Sequence, residues 1–96
     1  MKVFAIATAQ PGLTHDKLEQ HLPKEVPATL QHYLDGTVEQ FWFREKAGPI
    51  FLMNVESIEE AKASLSTLPL VANGLMTYEF LPVGPLVPLA RLIQQK

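Results

Sequence analysis

An α+β domain with the element order β-α-β-β-α-β is the fold this sequence predicts, on three observations. Two segments carry apolar residues at helical spacing, and four are rich in β-formers. The breakers between them, Gln10-Pro11-Gly12, Gly36, Ala47-Gly48-Pro49, Pro69 and Asn73-Gly74, fall where that order needs turns. Two of the four strand-like segments, 3–7 and 50–53, are apolar on both faces. They are the two that this order places in the middle of its sheet.

Residues 2–8 form the first strand, a short apolar run. Thr14 is the N-cap expected for the first helix, with Asp16 and Glu19 in the first turns, where the helix dipole favours acids. Leu18, Leu22, Val26, Leu30 and Leu34 recur every four residues, and Gly36 stands where a C-cap glycine belongs. Pro23 and Pro27 interrupt this helix; each removes a backbone bond at a cost of about 3 kcal/mol, so a kinked or two-piece helix is expected. Residues 37–45 alternate as a half-buried strand, with Phe41 and Phe43 on one face and Val38, Gln40, Trp42 and Arg44 on the other. Residues 50–55 make the third strand. Ser57 and Glu60 form a capping box for a helix striped by Ile58, Ala61, Leu65 and Leu68, which Pro69 ends. Residues 75–81 are the last strand, followed by a proline-broken tail in which 89–94 has room for a short helical turn. The order is ferredoxin-like: a four-stranded antiparallel sheet with two helices on one face.

Ninety-six residues make one domain, 1–96, with 83–96 as its C-terminal tail. Apolar residues are 47% of the chain and charged residues only 19%, so a core this small leaves apolar surface to cover. Strands apolar on both faces need shelter front and back, and the two helices roof only one side. A second copy laid over the other face gives a homodimer, a dimeric α+β barrel, with higher assembly left open.

The net charge is −2 and Lys and Arg never run together, so no nucleic-acid footprint exists. With no cysteine, disulfides, thiolate catalysis and cysteine-held zinc fall away. No two histidines have metal-site spacing, so no metal is expected. The apolar stretch after Lys2 is shorter than a secretory core, and no run approaches the ~20 residues of a membrane span. A cytoplasmic protein is expected, with no membrane partner.

Ser57-Ile58-Glu59-Glu60, Leu65, Leu68-Pro69-Leu70, Met76 and Glu79, with Gly36 followed by Trp42, resemble the muconolactone isomerase-like family. Leu68 to Leu75 and Tyr78-Glu79-Phe80-Leu81-Pro82 look closer still to a branch of short isomerase-like proteins. The resemblance implies a dimeric α+β barrel and, in its isomerases, cofactor-free proton transfer that moves a double bond within an unsaturated lactone. Those isomerases carry Arg directly after the tryptophan; here Phe43 stands there and Arg44 follows. Their basic, histidine-containing tail is replaced by Pro82-Val83-Gly84-Pro85.

Proton abstraction beside a carbonyl needs a base of suitable pKa and a group that steadies the enolate. Three residues are expected to carry this chemistry: Glu19, placed by helical spacing on the buried side of the first helix, His15 four residues before it, and Arg44 as anion or enolate anchor. The opposing reading puts His15 and Glu19 in water and Arg44 in an interface ion pair. Trp42 and Tyr78 are expected to line the substrate, or else to be packing. Glu25 joins them through the resemblance, although spacing sets it nearer the polar side. The function expected is a cofactor-independent isomerase or lyase acting on a small unsaturated or aromatic-derived acid or lactone. The alternative is a non-catalytic small-ligand-binding or assembly module of the same fold.

Overall fold

The computed structural model describes residues 1–85. Strand β1 (Lys2–Ala9) leads to helix α1 (His15–Leu34), then strands β2 (Val38–Arg44) and β3 (Gly48–Asn54). Helix α2 (Ile58–Ser66), a short α3 (Pro69–Ala72) and strand β4 (Met76–Val83) complete the order. The four strands form one antiparallel sheet in the order β2-β3-β1-β4. This is the ferredoxin-like arrangement, with the two strands that are apolar on both faces at its centre. The expected tail overlaps the end of β4, and the helical turn expected at 89–94 lies outside the described residues.

Local chemistry explains the boundaries. Thr14 Oγ1 accepts the Lys17 N–H at 3.2 Å and starts α1; Gly36, at φ 86°, ends it in the left-handed conformation that costs glycine least. Ser57 Oγ accepts the Glu60 N–H at 3.1 Å, and the Glu60 carboxylate reaches back one residue past the cap to the Glu56 N–H at 2.7 Å.

Three expectations need correction. Of the two forms expected for α1, kinked or two-piece, the two-piece form is not found: one helix runs through both prolines. Both prolines and Glu19 are exposed, so water can take the two carbonyls, of Glu19 and Pro23, that the proline nitrogens leave without partners. Pro69 does not simply end α2: it opens α3 at the first helical position, where its missing N–H costs nothing. In β2, Val38 pairs with Met53 but Gln40 pairs with Leu52, leaving Glu39 extra. That bulge flips the alternation, so Val38 shares the helix-facing side with Phe41 and Phe43.

The core lies between α2 and the sheet, where Val3, Ala5, Val38, Phe51, Met53, Ala61, Leu65 and Leu68 are all but fully buried. Helix α1 contributes Ala28 to its margin and rests mainly on β2 and α3. Among the described residues nothing covers the opposite face of the sheet. Gln40, Leu52, Phe4 and Leu81 run across it in one row, and Trp42, Ile50, Ile6 and Glu79 in the next.

Candidate functional site

The spacing of the α1 stripe decides where the protein opens. A repeat of four advances about 40° per step beyond the 3.6-residue turn, so a line of leucines winds around the helix. Leu18 is half-buried, Leu22 is 37% exposed, Val26 and Leu30 are near half, and Leu34 reaches 76%. The stripe therefore peels away from the sheet and leaves a cleft between α1 and the β2–β3 hairpin.

This cleft measures about 680 Å³, within the range of small-molecule sites. Its helix wall is Leu18, Leu22, Val26 and Leu30; its sheet wall is Phe41 and Phe43; Phe51, Leu70 and Met76 floor it. Among the described residues lining it, only Glu25 and Lys46 are ionisable.

Glu25 is buried, against expectation. It follows Leu18 by seven residues, which brings it back to within about 20° of that leucine around the helix. Its Oε1 accepts the Leu70 N–H at 2.9 Å. That bond caps α3, whose own N-cap residue, Leu68, has no side chain able to do so. The second carboxylate oxygen has no hydrogen-bond partner among the described residues. Burial raises the Glu25 pKa above the usual carboxylate value, and the bond from Leu70 and the nearby His21 offset this only in part.

Tyr78 lies behind the floor, its ring stacked on Phe51 at 5.5 Å between centroids. Its hydroxyl is buried and has no hydrogen-bond partner among the described residues. Burial first, and the Glu25 charge second, push its pKa well above that of a free phenol. Trp42 borders the cleft, but its ring lies on the open face of the sheet, 6.2 Å from that of Phe4.

Arg44 is held by backbone carbonyls. Its Nε donates to Gly48 O at 3.2 Å, and one terminal nitrogen donates to Ala7 O at 2.6 Å and Ala47 O at 3.0 Å. These bonds tie the hairpin turn to the end of β1. His15 and Glu19 pair with each other at 3.0 Å, with side chains 79% and 65% exposed. The burial expected for Glu19 is not found, because the same drift that exposes Val26 and Leu30 carries it outward. The structure thus gathers Glu25 and Trp42 at the cleft, sets Tyr78 just behind it and Arg44 at its hairpin, and leaves His15 and Glu19 on the surface. Sequence reasoning passed over Lys46; the one signal for it was its place beside Ala47-Gly48-Pro49 in the turn. No metal-holding group of His, Asp or Glu occurs among the described residues.

Fold and site together define a small ferredoxin-like α+β protein with one ligand-sized apolar cleft holding a buried carboxyl group. No family model matches the chain, and no curated protein does. Among solved structures it is similar to 5-chloro-2-hydroxyhydroquinone dehydrochlorinase (TftG) from Burkholderia phenoliruptrix AC1100, in complex with 2,5-dihydroxybenzoquinone. The TM-score is 0.69 at 14% identity, over 88% of this chain and 94% of that one. Identity this low establishes the shared fold alone.

Proposed function

We propose that this protein is a cofactor-free isomerase or lyase in which Glu25 moves a proton on a small unsaturated ring compound held in the α1 cleft. One observation carries the reading: the only carboxyl group among the described lining residues, buried and with one oxygen unengaged, stands in a mostly apolar cleft of ligand size. Desolvation makes its carboxylate a stronger base than one in water, and the bond from Leu70 holds it in a fixed orientation. In an isomerisation, the C–H bond beside a carbonyl breaks, its proton passes to Glu25, and the electron pair enters the enolate. The same carboxyl then returns the proton at the far end of the conjugated system, so the double bond moves. In a lyase, the enolate instead expels a leaving group, and Glu25 gives its proton to water. The similarity to TftG, a dehydrochlorinase, supports the lyase outcome as chemistry this fold can house. In this reading Trp42 and Tyr78 shape the cleft, while His15 and Glu19 stay outside it.

Two copies pair over the open face, where Phe4, Ile6, Ile50 and Leu52 are only half-buried and Trp42, Leu81 and Val83 are exposed. Among the described residues no helix is long and apolar enough to cross a membrane.

The test is proton exchange. α-Angelica lactone, a β,γ-unsaturated lactone, is incubated with the protein in deuterated water and followed by NMR. The wild type is expected to exchange the ring protons and shift the double bond, and Glu25→Gln to lose about a hundredfold or more of that rate. Equal rates in the two proteins would remove Glu25 from the chemistry. A second reading, a binding module without turnover, draws on the use of Glu25 as the cap of α3. It predicts ligands that raise the melting temperature and are recovered unchanged.

A further inference from the structure

Two ionisable residues line the cleft. Glu25 is enclosed against Leu70, and Lys46 stands on the hairpin turn, among lining residues that are otherwise mostly apolar. Lys46 is the only cation among the described lining residues, and it has neither an ion-pair partner nor a side-chain hydrogen bond among them. Its backbone is unusual as well. At φ 65° it occupies the left-handed region, the one non-glycine among the described residues to do so. Gly or Asn fills such turn positions at lower cost, so a lysine here gives up stability that no side-chain hydrogen bond or ion pair among the described residues returns. The turn is also firmly held, since three Arg44 bonds fasten Ala47, Gly48 and the end of β1 around it. A strained, clamped backbone therefore presents one free ammonium beside an apolar cavity.

Resting on the reading of the cleft as a ligand site, we propose that Lys46 anchors the anionic group of the ligand, so that the site takes flat, apolar, singly charged ring acids. The ring lies between the leucines of α1 and Phe41, its carboxylate or enolate oxygen on the ammonium at the mouth, its reacting carbon toward Glu25. A neutral ring fills the same cavity but makes no bond with the ammonium. A second anionic group finds no second cation among the described lining residues and shares the cleft with the Glu25 carboxyl. The preference thus follows from a lining with one cation and one acid.

The experiment measures affinity by calorimetry for 1-naphthoate and its neutral methyl ester. Proteins are the wild type, Lys46→Gln and Lys46→Arg, each checked for folding by circular dichroism. The wild type is expected to bind naphthoate, and Lys46→Gln to bind it about tenfold more weakly, the size of one charge-assisted hydrogen bond. The ester should keep its affinity within about twofold in all three proteins, and Lys46→Arg should recover most of the naphthoate affinity. Unchanged naphthoate affinity in Lys46→Gln, or an equal loss for acid and ester, overturns the anchor and leaves the cleft reading standing. Failure of the wild type to bind either compound overturns both.

Discussion

The bond between Glu25 and Leu70 makes a prediction that separates the acceptor from the charge. Glu25→Gln removes the ionisable group and keeps an oxygen for the Leu70 N–H; Glu25→Ala removes both. The structure buries this donor and gives α3 no other side-chain cap. An enclosed N–H without a partner costs about 1–3 kcal/mol, so the alanine variant should fall below the glutamine variant by that much. In a domain of this size each kcal/mol moves the melting temperature by about 4–8 °C, a gap that calorimetry at pH 7 resolves easily. The wild type adds a pH signature. Glu25 has a raised pKa in the folded state, so the native protein binds this proton more tightly than the unfolded chain. Stability therefore falls as pH rises through the window that opens near the unfolded value of 4.5 and closes at the higher folded one. Glu25→Gln has no such proton, and its stability relative to the wild type should climb across that window. Equal melting temperatures for the two variants would refute the capping role, and a pH-independent gap between Glu25→Gln and wild type would refute the desolvation.

Leu52 lies mid-row on the open face between Gln40 and Phe4, so Leu52→Lys should turn a dimer into a monomer in light scattering at micromolar concentration while leaving circular dichroism unchanged. A wild type that is already monomeric would end the paired-sheet proposal. Gly36 and Gly48 both have positive φ, but a Cβ at Gly36 meets nothing within 4 Å, whereas one at Gly48 meets the Ala7 Cβ at 3.3 Å. Gly36→Ala should cost about 1–2 kcal/mol and Gly48→Ala about 1 kcal/mol more, read from urea midpoints. The reverse order would mean that the hairpin gives way easily.

The alternation of breakers and patterned runs made the fold legible because secondary structure follows local periodicity. Doubly apolar runs at 3–7 and 50–53 also located the centre of the sheet, since the β-α-β-β-α-β order places its first and third strands inside. The face of each β2 side chain was not legible, because the bulge at Glu39 arises from pairing with β3 and leaves no mark on the local pattern. The site divides in the same way. Glu25 lies seven residues after Leu18, so its approach to the buried side was open to helical arithmetic. The four-residue leucine repeat pointed instead toward Glu19.

By itself, then, the sequence determined which segments become strands and helices, where they are capped, and which strands lie inside. Those properties depend on residues within a few positions of one another. Tertiary structure decided that Glu25 caps α3, that Arg44 fastens a turn, and that Lys46 and Glu25 line one cleft. Each of these joins elements distant in the chain. A hydrogen bond between residues 25 and 70 exists only once the intervening sheet has formed.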